Sequence, residues 1–326
     1  MDVEKDKELV LVARKACFGL PTACPSCLPV YIYLKLANVP FDLRFNLIHP
    51  DSDQIPYVES GEYVAYNNEK SGVIESLKED GIVDLDYCIP SHTIAEWMAI
   101  ISSWLADAAM YELWLGSDGS VAHKIYYSDL PWPIGKLLYF KQTYAVKQLL
   151  GITKVNAERR EAEIYRKATI AYEALSTKLG EQTFFFENRP TSLDAIFLGH
   201  LLFVLQALPG TSVLRSKLLE QSNLVRYAEN FKTEFLEAGS LPSSVPRSPF
   251  DPSSTTPRRT PPSWSSKPKS KPKKEKTEEE KTFRRRAKYF LATQLVAVLV
   301  FLSIMGGSDD AELEADDGDD GMDYDD

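Results

Sequence analysis

One apolar run near the end of the chain limits what the rest can be. From Tyr289 to Gly306 the sequence reads YFLATQLVAVLVFLSIMG, 18 residues without a charge. At about 1.5 Å per residue a helix of that length reaches roughly 27 Å, enough to cross a thin bilayer. Arg284, Arg285, Arg286 and Lys288 precede it, and about 20 residues, mostly acidic or small, follow. The missing polar face, the basic stop on one side and the short remainder argue against a core helix. The run therefore predicts a tail anchor at 288–307, inserted after synthesis, with the basic flank retained in the cytosol. Met1 to Lys288 is then expected on the cytosolic side and the acidic tail on the other. Thr293, Gln294 and Ser303 make the span only moderately apolar. A short, moderately apolar span suits a thin membrane such as the mitochondrial outer membrane better than the plasma membrane. The endoplasmic reticulum and the plastid envelope stay open on these residues alone. The acidic start, Met1 to Glu8, resembles neither a signal peptide nor an Arg-rich transit peptide.

The net charge of −10 over 326 residues hides three blocks. Residues 240–288 carry 14 Lys/Arg against 5 Asp/Glu, 289–326 carry 11 Asp/Glu and no Lys/Arg, and 1–239 is net −8. A negative globular part disfavours nucleic acid as a partner. The basic block, beside a membrane span, reads as a juxtamembrane stretch attracted to anionic headgroups. Residues 240–283 are rich in Pro, Ser and Lys and are expected to form a disordered linker, because they cannot bury enough apolar surface to offset their ordering entropy. The acidic tail, 308–326, reads first as a solvated, disordered end and second as a weak site for basic segments. Cys17, Cys24, Cys27 and Cys88 are expected as free thiols in a reducing compartment. His49, His92, His123 and His200 share no ligand spacing, so neither metal nor cofactor is expected.

The order of elements over 1–85 is definite. Glu8 to Ala13 is a short apolar strand, Pro21 to Pro25 a breaker, and Ser26 a candidate N-cap for a helix from Leu28 to Asn38. Phe41 to Leu47 alternates at period two, as a strand does. Residues 57–59 and 62–66 flank Ser60-Gly61 as a hairpin, and Ser71 to Asp80 is helical up to Gly81. From 90 to 239 the pattern is helical throughout, with helices expected at 91–115, 121–150, 154–179, 191–207 and 211–238. Phe184, Phe185 and Phe186 form an aromatic cluster expected between helices. Thr191 or Ser192 caps the next helix, and Asp194 in its first turn suits the helix dipole.

A thioredoxin-like half followed by an all-helical half is an α+β layout that resembles the glutathione transferase fold. Ile55-Pro56-Tyr57 stands where that fold has a cis-proline, and Pro190 to Asp194 resembles its capping motif. More specifically, the chain resembles the metaxin family over roughly 8–238. The matching features are Phe18-Gly19-Leu20-Pro21 with Cys27-Leu28, the run from Phe185 to Ala195, and Gly199-His200-Leu201. The anchor and the long linker fit a plant-type member. The resemblance implies a non-catalytic subunit of the mitochondrial outer-membrane sorting and assembly machinery. Its implied partners are the membrane, the other subunits and precursor proteins, among them β-barrel proteins awaiting insertion.

Two enzyme readings stand beside it. A membrane-tethered glutathione transferase would need an acidic or amide residue before the Ser that opens the helix after the hairpin. That position is Lys70, before Ser71, and its charge would face the ligand's ammonium group. A thiol oxidoreductase would use Cys24-Pro25-Ser26-Cys27, a C-P-x-C at a strand-to-helix turn, where a helix N-terminus lowers the first thiol's pKa. The plainer reading, which we favour, makes Cys27 a small first-turn residue and Cys24 incidental. An organelle-surface adaptor is the remaining alternative. No catalytic, cofactor-binding or metal-binding residue is assigned from the sequence.

Overall fold

In the computed structural model, residues 9–46, 52–87, 89–186 and 189–237 are described, together with Tyr289, Phe290, Thr293, Gln294, Val296 and Val298. Strand β1 (Leu9–Ala13) is buried at every position, as a run of branched residues in the middle of a sheet must be. Helix α1 (Cys27–Leu36) follows, then β2 (Phe41–Phe45), which pairs parallel to β1 with Leu11 opposite Leu43. The Ile55-Pro56 peptide bond is cis and leads into β3 (Tyr57–Ser60). A turn through Gly61, at φ 65°, returns the chain as β4 (Tyr63–Tyr66). The sheet order is β2-β1-β3-β4, with β3 antiparallel to both of its neighbours. Helix α2 (Val73–Glu79) closes this half. Every element expected from 1–85 is present in the expected order.

The second half is helical. Helix α3 (Ser91–Ile100) passes through a π-helical turn, Ile101–Leu105, into α4 (Ala106–Trp114). The single helix expected at 121–150 is instead two. The short α5 (Ser120–Ala122) runs on as a π-helical segment to Tyr127, and α6 (Trp132–Leu149) starts afresh after Pro131. Pro131 and Pro133 lack the N–H and carry the ring that a continuous helix cannot accept; at the first turn of α6 both are tolerated. Helix α7 (Ala157–Leu179) matches its expected span, and α8 (Ser192–Gln206) begins at Thr191. The helix expected at 211–238 is broken into α9 (Val213–Leu219) and α10 (Ser222–Phe231), which a π-helical segment extends to Glu237. No Gly or Pro marks that break. The Asn223 side chain instead donates to Ser176 O (2.9 Å) and Gly180 O (3.2 Å), satisfying carbonyls at the end of α7.

Helix α8 is the axis of the molecule. Most of its residues are buried, including Leu193, Phe197, Leu201, Phe203 and Val204, so it is apolar all round, as an internal helix must be. It packs along α1, joining the two halves into one core. Of the three expected cluster phenylalanines only Phe185 is fully enclosed, edge-on to Phe197 at 5.5 Å; Phe184 and Phe186 are half-buried.

The linker between the halves is pinned from both sides. Tyr33 of α1 donates to Val83 O (2.9 Å) and accepts from Leu85 N (3.3 Å). Asp86 pairs with Lys78 of α2 (2.9 Å) and accepts from the backbone N–H and hydroxyl of Ser192 (2.8 and 2.5 Å). It thereby occupies the positive end of α8, where a carboxylate is favoured.

Among the described residues no helix is long and apolar enough to cross a membrane. The linker at 240–283 and the tail at 308–326 lie outside the described residues. So does the expected anchor at 288–307, except for the six positions named above, which are helical and exposed.

Candidate functional site

The end of β1 delivers Arg14 beneath the Pro21 to Pro25 breaker, and the first turn of α1 delivers Cys27. Ser26 stands at the N-cap but makes no side-chain cap bond. The N–H groups of Cys27 and Leu28 turn instead onto Cys24 O (3.1 and 3.0 Å). This winding brings the two sulfurs of Cys24-Pro25-Ser26-Cys27 together around one guanidinium. Arg14 Nη1 donates to Cys24 Sγ (3.1 Å), Cys27 Sγ (3.7 Å) and Ile55 O (3.1 Å), while Nη2 donates to Ser52 O (2.9 Å). Tyr126, from the helical half, stacks its ring on Arg14 at 4.7 Å and sets its hydroxyl 3.6 Å from Cys24 Sγ.

The electrostatics separate the two thiols. Burial alone would push both up. For Cys24 the hydrogen bond from Cys27, the Arg14 charge, the Tyr126 hydroxyl and the Cys27 N–H outweigh burial and hold it well below its usual value. Burial and the neighbouring Cys24 charge push Cys27 well above. Both sulfur residues are nonetheless wholly enclosed, at 0% exposure. Enclosed in this way, the Cys24 sulfur is a buried acceptor for Arg14, which also holds the 52–55 segment through Ile55 O and Ser52 O. Cys17 is half-buried and pushed up by burial. Cys17, Cys24 and Cys27 are free thiols, and Cys88 lies outside the described residues.

Above the cluster a cleft of about 440 Å³ opens between the halves. Its apolar walls include Ile101, Met110, Leu113, Trp114 and Phe203, and Arg14, Asp53, Asn67, Gln142 and His200 supply its polar atoms. Lys70 and Ser71 are not among its lining residues. Both run at positive φ, 45° and 67°, and Lys70 turns away to pair with Asp80 at 2.9 Å. Among the described residues no group of three or more His, Cys, Asp or Glu is placed to hold a metal.

The motif at 190–194 has a structural role. Thr191 is the N-cap and Asp194 reciprocates, its Oδ2 accepting from Thr191 N (2.9 Å) and Oγ1 (2.6 Å). Asp194 Oδ1 also accepts from Phe185 N (3.0 Å) and the Tyr227 hydroxyl (2.7 Å). Burial pushes this carboxyl up, against the pull of these four donors. Of the two N-cap candidates, Thr191 holds the position, and Ser192 serves Asp86.

His200 lines the cleft with its ring parallel to Phe197 and its Nε2 2.7 Å from the Tyr172 hydroxyl. Burial lowers its pKa from the ordinary 6.5 to about 3. The folded state therefore holds a neutral ring that the unfolded state protonates first, so the stability it contributes is present above the ordinary value and lost as pH falls below it. Between about pH 7 and pH 5 the loss from this one group is about 2 kcal/mol. Urea melts at the two pH values should show it, and His200→Gln should flatten the difference. An unchanged slope in that variant would remove His200 as the source.

Arg14, Tyr126 and Asp86 were not singled out in the sequence. The one available signal was a lone Arg closing a buried apolar strand, LVLVAR.

Two family models match parts of the chain. A family model described as glutathione S-transferase N-terminal domain matches residues 25–119, and one described as glutathione S-transferase, C-terminal domain matches 168–231. Among solved structures, a glutathione transferase from Phanerochaete chrysosporium is 10% identical, with a TM-score of 0.47 over 69% of this chain and 97% of its own. Human metaxin-2 is 24% identical over 217 residues, covering 64% of this chain and 81% of that protein. An Arabidopsis thaliana protein named "Mitochondrial outer membrane import complex protein METAXIN" is 60% identical over 324 residues, 98% of this chain and all of that one. Identity at that level over nearly the whole of both chains identifies this one as belonging to the metaxin family.

Proposed function

We propose that this protein is a non-catalytic subunit of the mitochondrial outer-membrane import apparatus that receives precursors and helps sort and assemble β-barrel proteins. The observation that carries the reading is the near full-length identity with the Arabidopsis import complex protein. In this reading the run from Tyr289 to Gly306 anchors the chain and the basic flank keeps the globular part in the cytosol, where precursors arrive. The chemistry of the cleft supports a role without catalysis. A transferase or thiol oxidoreductase must present a sulfur or hydroxyl to glutathione or to a disulfide. Here Cys24 and Cys27 are enclosed, and Ser71 stands outside the cleft.

The deciding experiment is affinity purification of the tagged full chain from mitochondria solubilised in mild detergent. Subunits of the β-barrel assembly machinery are expected in the eluate. Recovery with unrelated cytosolic proteins alone would return the adaptor reading. Calorimetry with glutathione tests the enzyme reading: no saturable binding is expected, and micromolar affinity would overturn the non-catalytic assignment.

A further inference from the structure

Among the described residues of the helical half, α6 carries more exposed large apolar side chains than any other element. Ile134, Leu137, Phe140 and Tyr144 are 50%, 47%, 64% and 46% exposed. At about 100° per residue, spacings of three, three and four place all four on one stripe of the helix. Scattered single apolar residues are ordinary on a surface, but a continuous stripe marks a contact face.

The charges of this helix are all of one sign. Lys136, Lys141 and Lys147 lie on α6 and Lys154 just beyond it, and no Asp or Glu occurs from Leu130 to Ala157. The block 1–239 as a whole is net −8, so this helix runs against the charge of the domain that carries it. Lys141 falls within the apolar stripe, while Lys136 and Lys147 fall along its edge by the same angular count. An apolar stripe bordered by lysines on a helix roughly 27 Å long has the pattern of a helix lying in a bilayer interface, its apolar face among the acyl chains and its lysines at the headgroups.

We propose that the exposed face of α6 docks the globular domain onto an anionic lipid surface. The proposal rests on the reading that the protein resides at a membrane. The charge is what selects lipid as the occupant: a uniformly cationic helix on an acidic domain is drawn to a surface of clustered anionic headgroups, and the remainder of the domain is repelled by it. Docking would hold the cleft at a fixed height over the bilayer, whatever the length of the linker that joins domain to anchor.

The test uses the full chain with a photo-crosslinking benzoylphenylalanine at Phe140, inserted into vesicles carrying a radiolabelled tracer of phosphatidylinositol. Vesicles of phosphatidylcholine alone are compared with a four-to-one mixture of phosphatidylcholine and phosphatidylinositol. Lipid adducts should be at least about fivefold more abundant in the mixture than with the same probe at Glu173, an exposed position on α7. They should fall at least about fivefold with Lys141→Glu and Lys147→Glu together, and also in high salt. Retention of the chain in the membrane pellet after carbonate extraction reports the anchor independently. Adducts no more abundant than at Glu173 in a chain that stays in the pellet would overturn the docking face alone. So would adducts to a polypeptide in place of lipid when the same probe is activated in mitochondria. Loss of the chain from the pellet would overturn the membrane reading itself.

Discussion

Asp194→Ala is expected to destabilise the domain by about 4 kcal/mol, a large share of the roughly 5–15 kcal/mol that holds a domain folded. The carboxylate accepts four hydrogen bonds, from Thr191 N, Thr191 Oγ1, Phe185 N and the Tyr227 hydroxyl. Its removal strands these donors in a region where Thr191 and Phe185 are 0% and 1% exposed. An orphaned buried polar group costs about 1–3 kcal/mol, and losing the cap of a helix about 1 kcal/mol. The losses overlap, because the hydroxyls can turn toward one another, so their sum exceeds the expected effect. Asp194→Asn should cost less. It keeps one acceptor for Phe185 and Tyr227 but sets an amide NH₂ against the Thr191 N–H. Urea denaturation of the detergent-solubilised chain, followed by tryptophan fluorescence, measures both. A loss below about 1.5 kcal/mol for the alanine variant would mean that α8 does not depend on this cap.

Gly199→Ala is expected to cost about 3 kcal/mol, although alanine is the better helix former. Gly199 lies in the middle of α8 where α1 crosses it. A Cβ built there falls 2.7 Å from Pro29 Cγ and 3.0 Å from both Pro29 Cδ and Pro29 N. A flexible side chain could swing aside, but a proline ring fixed to its own backbone cannot. The helices must therefore separate, opening the core that joins the halves. A loss of that size lowers Tm by roughly 6–12 °C in a domain of this length. Gly210 supplies the control, since nothing lies within 4 Å of a Cβ built there and its φ is not positive. Gly210→Ala should be neutral or slightly stabilising through the unfolded chain. Equal melting of the two variants would show that the α1–α8 crossing tolerates a methyl group.

The parts of the site that could be read in advance are those whose partners are close in sequence. Thr191 and Asp194 are three residues apart, so their reciprocal bonds follow from helix geometry alone. Asp86 and Ser192 are 106 residues apart, and no local pattern announces that the linker carboxylate caps α8. Cys24 and Cys27 were visible as a pair. The 102 residues that separate Cys24 from Tyr126 hid the hydroxyl that meets its sulfur, and nothing local showed that the fold would close over both thiols. The same division appears in the helices. Pro131 could have been read as the break before α6, whereas no Gly or Pro marks the break at Gln221, beside which Asn223 reaches the end of α7.

The sequence by itself determined the order of elements, the alternation of the sheet half, the start of α8 at Thr191 or Ser192 and the apolar run near the C-terminus. Each depends on periodicity or on groups within a few residues of one another. The tertiary structure alone decided that Lys70 turns out to Asp80, that Arg14 gathers two enclosed sulfurs, and that Gly199 must lack a side chain. These depend on which surfaces are pressed together. A packed interior excludes water, and it leaves each buried polar group only the partners that distant segments bring to it.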